Sequence, residues 1–333
     1  MPLLPAKECI ISFFSFETKC LILDDKNGNV SIAPNTSVRR NIVLPWKVNV
    51  VLADQCLIIH LPFAGHRQYG TLHAHYSSKR LSLLRLPDLR DWMQYIDSSK
   101  FLHRLSIPGT HNSACHRAAL PTVRCQNHGI QYQLERGVRF FDIRLAKRKR
   151  DWVIVHGGFP AQYQGHLSWA RVHAVLQAFL ASHVHETILC SLKNEGTSTD
   201  YECFHDFDWK DWYVGTQISV LGDVRGHLVL IRRFDGNVGI PWDAFSIQDE
   251  YRLNPEQKVE AVMDFLRKDV EGMKICFCSA STLRHWPKTI AKFVNHRVYE
   301  IVLEIRRQTG VLVWDYVDDH SVGVIAMNWA DRS

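Results

Sequence analysis

The sequence predicts an α/β protein: a (β/α) barrel preceded by a small all-β domain. Three observations carry this. From about residue 101, short apolar runs alternate with helix-like stretches, the pattern of parallel strands joined by helices. Several of those runs end in titratable side chains, and in parallel α/β sheets ligand-binding and catalytic groups collect at the carboxyl ends of strands. Residues 1–90, by contrast, carry short β runs with no competing helical periodicity.

In the first region, residues 9–16, 19–23, 48–52, 56–61 and 71–76 read as strands, and Asp25-Lys26-Asn27-Gly28-Asn29 has hairpin-turn chemistry. His73 and His75 share one strand face, where a surface or cross-strand role is favoured over a metal pair. Residues 83–102 are a transition, with an Asp before a helix-like stretch that ends at Ile96. The second domain is expected over 95–333.

There, a strand over 102–107 should stop at Pro108-Gly109 and deliver Thr110-His111-Asn112-Ser113 onto a loop. A helix over 126–136 ends at Gly137, and the strand over 138–143 places Asp142 and Arg144 at its end. Only Leu-Ala-Lys-Arg-Lys-Arg-Asp separates Arg144 from Trp152, too short for a crossover helix, so a barrel must be distorted here. The basic run Lys147 to Arg150 reads as a solvated connection. The third strand, 152–155, ends in His156-Gly157, and these three strand ends read as one site. An amphipathic helix over 168–183 leads to a strand over 187–192, which ends in Lys193-Asn194-Glu195-Gly196. His183-Val184-His185-Glu186 lies at that helix-to-strand joint and is not read as a metal site. The aromatic stretch with Phe207, Trp209, Trp212 and Tyr213 is expected as a helix packed on the barrel, with lipid docking as the other reading. A strand over 227–231 ends in Arg232-Arg233, and Asp249 and Tyr251 follow a loop. Helices over 256–268 and 287–294 flank a strand over 274–278, and the last strand, 311–314, ends in Asp315-Tyr316.

With 46% hydrophobic residues the chain can bury a full core. Its net charge of +6 and pI near 8.8 suit a soluble protein or an anionic lipid partner. Positive charge is not gathered into one long stripe, which excludes a nucleic-acid binder. No apolar stretch approaches the roughly 18 residues of a membrane span. Residues 1–16 make a poor secretory signal, so the expectation is a cytoplasmic monomer that visits the membrane surface, with its nine cysteines reduced. A Cys115–Cys125 disulfide would require export.

Singly, each strand-end residue could be a solvated or salt-bridged loop group. Their recurrence at strand ends favours a site. Two histidines, with free pKa near roughly 6.5, can act as base and acid at neutral pH. Arg144, Lys193 and Arg233 suit a phosphate. There is no glycine-rich nucleotide loop and no nucleophilic-serine elbow. Paired histidines around a clamped phosphate fit cyclising phosphodiester cleavage, in which a hydroxyl of the substrate is the nucleophile.

Ser106 to His111, Gln133-Leu134 to Phe141-Asp142-Ile143-Arg144, Val155-His156-Gly157, Glu186 to Lys193, and Gly226 to Arg233 together resemble phosphatidylinositol-specific phospholipase C of the X-domain type. The likeness runs from about residue 95 to the C-terminus and is nearest the single-domain bacterial enzymes and their fungal relatives. It implies a distorted TIM barrel that cleaves phosphatidylinositol to diacylglycerol and inositol 1,2-cyclic phosphate. It also implies roles: His111 as general base oriented by Asp315, His156 as general acid, and Arg144 on the phosphate. Lys193, Arg233 and Asp249 would bind inositol hydroxyls, with Glu195 beside them and Tyr251 stacked on the ring. One position departs: the bacterial enzymes carry Asp after the first histidine, as partner of the acid histidine, and this chain has Asn112. Calcium-dependent relatives carry Asn there, but two of their calcium carboxylates fall on Arg144 and Lys193. Cations where a dication needs anions argue for no metal cofactor, with Ca2+ through Asp142 and Glu195 as the minor alternative. Without a carboxylate partner the imidazolium of His156 is less favoured, unless Asp142 compensates. Cleavage of a glycosyl-phosphatidylinositol anchor or a glycerophosphodiester, and a catalytically weak phosphoinositide-binding protein, are the alternatives.

Overall fold

A computed structural model describes residues 7–63, 65–196, 204 and 207–330. The chain divides into two compact units, 7–88 with 326–330, and Leu89–Ile325.

The first unit holds strands β1 (Lys7–Ser15), β2 (Leu21–Asp25), β3 (Gly28–Ile32), β4 (Thr36–Ile42), β5 (Trp46–Val51), β6 (Cys56–Leu61), β7 (Gly65–Tyr69), β8 (Leu72–Ser77) and β9 (Arg80–Arg85). They form a five-stranded sheet, β4-β1-β9-β8-β7, and a four-stranded sheet, β3-β2-β5-β6. One core draws Phe13, Leu81 and Leu83 from the first sheet and Leu23, Trp46, Val48 and Ile59 from the second. The β2–β3 turn is closed by the Asp25 carboxylate, which accepts from the Asn27 N–H at 2.8 Å, and by Gly28 at φ +96°. Sequence reasoning missed β3, β4, β7 and β9. The first three lie at sheet edges and are largely polar, so they carry no apolar run. β9 is a buried central strand between β1 and β8, and its second half falls in the stretch expected as a transition. The terminal residues 326–330 group with this unit and not with the barrel, and the Trp329 ring lies 6.1 Å from that of Phe16.

The second unit holds strands β10 (Ser106–Thr110), β11 (Phe140–Arg148), β12 (Asp151–His156), β13 (Phe159–Pro160), β14 (Ile188–Asn194), β15 (Trp212–Tyr213), β16 (Leu228–Arg233), β17 (Ile240–Pro241), β18 (Phe245–Gln248), β19 (Met273–Phe277) and β20 (Gly310–Trp314). Its helices are α1 (Ile130–Glu135), α2 (Trp169–Ser182), α3 (Leu221–Val224), α4 (Pro255–Arg267) and α5 (Pro287–Ile305), and α6 (His320–Ala330) runs across the boundary into the first unit. A parallel sheet curls in the order β16-β14-β11-β10-β20-β19-β18, with β17 beside the end of β16. Among the described residues no ladder joins β17 to β18, so this is a distorted barrel, open at that seam. The strands are buried on both faces, which is why they read as continuous apolar runs. The helix starts follow capping rules. Asn254 and Gln257 cap each other's backbone ahead of Pro255 at the start of α4, and the Ser168 hydroxyl accepts from the Arg171 N–H before α2.

Several expectations change. Pro108-Gly109 does not end β10 but lies inside it. The Pro108 carbonyl accepts from the Arg139 N–H at 2.9 Å, and a Cβ on Gly109 would meet the Phe140 ring at 2.8 Å. The 152–155 run is not a barrel strand. β12 pairs antiparallel with β11 across a turn at Lys149-Arg150, so a hairpin replaces the missing crossover and Lys147 and Arg148 of the basic run belong to β11. The helix expected near Phe207 to Tyr213 is absent among the described residues. Phe207 instead stacks on Trp169 and meets Trp152 and Phe204 edge-on, Trp212 lies tilted against Trp169, and Trp209 packs against Phe207 and Trp212. Helix α5 extends to Ile305, well past the expected end at 294.

Candidate active site

Strand register builds the site. Thr110 pairs with Trp314, which brings the next residues, His111 and Asp315, side by side. The His111 Nδ1–H donates to Asp315 Oδ1 at 2.8 Å. Arg144 pairs with Lys193 and Lys193 with Arg233, so three cations stand in one row across β11, β14 and β16. Alternation along a strand puts Asp142 on the same face as Arg144. Such a row needs anions. Asp142 accepts from Arg144 at 3.0 Å and from Arg233 at 3.1 Å, and Glu195 accepts from Arg144 at 3.0 Å and Lys193 at 3.2 Å.

His156 reaches the same place from the hairpin, its ring centroid 5.7 Å from that of His111. Its Nδ1–H donates to the Val123 carbonyl at 2.9 Å, which leaves Nε2 as the nitrogen available to a ligand. A cavity of about 380 Å³ is lined by His111, Arg144, His156, Lys193, Arg233, Asp249, Tyr251 and Asp315 among others.

Asn112, Asp142 and Glu195 do not line that cavity but stand behind it. Asn112, in the left-handed region at φ +42°, turns its amide nitrogen to 2.8 Å from His111 Nε2. It therefore partners the first histidine and not the second. Asp142 does not compensate at His156. Its carboxylate is spent on the two arginines and on the Asn112 N–H, 4.0 Å from His111 Nε2. Glu195, expected among substrate ligands, also accepts from the Gly157 N–H at 2.7 Å and so fixes the turn after His156.

The electrostatics follow. Burial alone would raise the Asp142 carboxyl, but Arg144, Arg233 and His111 outweigh it and hold it far below the usual range. Glu195 is likewise lowered against its burial, by Arg144 and Lys193. Both carboxylates therefore stay charged. Arg144 is raised, because Asp142 and Glu195 outweigh its own burial. His156 is lowered by burial first and by the His111 charge second.

Sequence reasoning missed two supports and one buried neighbour of the site. Gln126 donates to the His111 and Trp314 carbonyls, each at 2.9 Å, and accepts from the Val317 N–H. Lys258 is fully buried and donates to Gln248 and to the Glu250 carbonyl, bracketing Asp249. A lysine on the apolar Lys258, Val262, Leu266 stripe of α4 was the available signal. Cys125 lies buried 3.7 Å from His156 Nδ1, and nothing in the sequence marks it. In the paper metal cluster His183-Val184-His185-Glu186, His183 pairs with Asp91 and Glu186 with Arg139.

No family model matches the chain. It is 28% identical over 283 residues to a 1-phosphatidylinositol phosphodiesterase of Listeria monocytogenes, covering 72% of this chain and 84% of that one. A Staphylococcus aureus protein of the same name is 25% identical over 297 residues, 74% of this chain and 93% of its own. The solved phosphatidylinositol-specific phospholipase C of L. monocytogenes superposes with a TM-score of 0.64 at 23% identity, over 73% of this chain and 99% of that one. The S. aureus enzyme gives 0.63 at 22% identity, over 72% and 97%. Fold and relatives together define a barrel phosphodiesterase of the phospholipase C class. In sequence and in fold the chain resembles the phosphatidylinositol-specific phospholipases C.

Proposed function

We propose that this chain cleaves phosphatidylinositol to diacylglycerol and inositol 1,2-cyclic phosphate, without a metal cofactor. The observation that carries the reading is the pair of histidines facing one cavity, the first held by Asp315 and both beside a row of three cations. His111 Nε2 takes the proton of the inositol 2-hydroxyl. That oxygen attacks phosphorus, and His156 Nε2 protonates the departing diacylglycerol oxygen. Arg144, cationic at any working pH, faces the non-bridging oxygens, where charge grows in the transition state. Lys193, Arg233 and Asp249 hold ring hydroxyls, and the half-exposed Tyr251 offers a face for the ring. Asp142 and Glu195 are already neutralised by arginine and lysine, which disfavours Ca2+ at this site.

No helix among the described residues is long and apolar enough to cross a membrane. The protein reaches lipid from outside. Exposed Leu283 and Trp286 lie in the chain between the cavity-lining Ser281 and Pro287, which supports lipid contact near the cavity. One chain supplies every group the reaction needs, so a monomer at the cytoplasmic membrane surface suffices.

Purified protein incubated with phosphatidylinositol vesicles and chelator yields cyclic inositol phosphate by phosphorus NMR. Turnover only after added calcium overturns the metal-free mechanism. Vesicle binding without product in either condition replaces the enzyme by a binding protein.

A pH profile tests the acid. His156 must be protonated to act, and its pKa lies below the ordinary histidine value, so kcat/KM falls as pH rises through a point on the acid side of that value. Asn112→Asp puts a carboxylate where the amide now sits, 2.8 Å from His111 Nε2, and favours both imidazolium forms. The whole profile then moves up by about one pH unit. Superimposable profiles for the two proteins would sink this account.

A further inference from the structure

Cys125 has no part in the proposed chemistry, yet it is buried among the groups that perform it. A ring nitrogen of His111, the Cys125 sulfur and an Asp315 carboxylate oxygen all lie within 4.8 Å of one another. The nitrogen that faces Asp315 is Nδ1. The backbone holds the group together. The Cys125 carbonyl accepts from the Tyr316 N–H at 2.7 Å, its N–H donates to the Cys115 carbonyl at 3.1 Å, and the Tyr316 hydroxyl donates to the Arg124 carbonyl at 2.6 Å. Residues 124–125 are thus strapped to 315–316.

We propose that His111, Cys125 and Asp315 form an inhibitory site for a thiophilic divalent cation of the zinc class. Imidazole, thiolate and carboxylate are the donors such an ion takes, and a tetrahedral ion spaces them roughly 3.3–3.6 Å apart, a modest contraction of this cluster. The mixed nitrogen, sulfur and oxygen set disfavours calcium and magnesium, which want oxygen alone. The fourth position opens on the cavity, which His111 and Asp315 line. Binding moves protons in a defined way. The thiol releases its proton to solvent as the sulfur–metal bond forms. The ion takes the Nδ1 lone pair, so the imidazole proton moves to Nε2, the nitrogen assigned above to accept from the substrate.

Asn112 supplies an independent observation. Its side chain is almost wholly buried, and its Oδ1 has no partner while Nδ2 faces His111 Nε2. A turn of the amide brings Oδ1 to accept the new Nε2–H, so the inhibited tautomer finds the acceptor that the active one leaves idle. A carboxylate here would favour imidazolium instead. The inference rests on the reading of His111 as base, but the site can be tested without it.

Reduced, chelator-stripped protein is titrated with Co2+, and the thiolate-to-cobalt absorbance in the near ultraviolet is followed. Wild type and Cys115→Ser develop the band, and Cys125→Ser and Cys125→Ala do not. In the vesicle assay Zn2+ inhibits wild type and Cys115→Ser, chelator reverses the inhibition, and Cys125→Ser needs at least about tenfold more Zn2+ for the same effect. A wild type without the band overturns the site. Equal Zn2+ inhibition of wild type and Cys125→Ser overturns its inhibitory role. A band without turnover in any sample keeps the metal site and rejects the phospholipase reading, so the two failures separate.

Discussion

His111→Ala lowers kcat on phosphatidylinositol vesicles by about 10²- to 10⁴-fold, the usual worth of a general base. The substitution removes the proposed acceptor for the 2-hydroxyl proton and leaves Arg144, Lys193 and Arg233 in their register row. The phosphate and the ring therefore still bind, and KM changes far less than kcat. Cyclic product measured by phosphorus NMR, with vesicle sedimentation in parallel, reads both quantities. A loss under tenfold would remove His111 from the proton transfer. Exogenous imidazole that restores turnover would confirm that the missing group is the base itself and not a fold defect.

The second large effect is on stability. Arg139 and Glu186 are both fully buried and meet at 2.6 Å. Glu186 also accepts from the Met93 N–H at 2.8 Å, and Arg139 donates to the carbonyls of Leu134, Val138, Leu89 and Arg90. This one pair ties the start of β11 to the joint before β14 and to the segment that opens the unit. Glu186→Ala leaves a buried guanidinium without its carboxylate and costs about 3–5 kcal/mol in chemical denaturation. Replacing both residues by apolar side chains of similar volume costs much less, since no uncompensated charge stays behind. A single-mutant loss under about 1 kcal/mol would show that the four carbonyls alone satisfy Arg139.

The strand ends were legible because parallel strands announce themselves as apolar runs, and the polar residue that ends each run stands out. His111, Asp142, Arg144, Lys193, Arg233 and Asp315 were picked out in this way, although β10 runs on to Thr110 and β11 to Arg148, past the expected strand ends. The hairpin that carries His156 was not, because a strand reads the same whether it pairs parallel or antiparallel. Only the shortness of the Arg144–Trp152 connection hinted at irregularity. The partner of Asn112 was misplaced for a related reason. Neighbouring residues in sequence say nothing of φ, and a left-handed backbone at Asn112 turns its amide back onto His111.

By itself, then, the sequence determined the class of fold, the chemistry-bearing residue types and the cationic character of the pocket, since these follow from composition and periodicity along the chain. Only the tertiary structure decided which carboxylate neutralises which cation, that Val123 rather than a carboxylate holds the second histidine, that Lys258 braces Asp249, and that Cys125 lies against the base. Those are contacts between segments tens to hundreds of residues apart. Strand register and burial create them, and no local pattern encodes them.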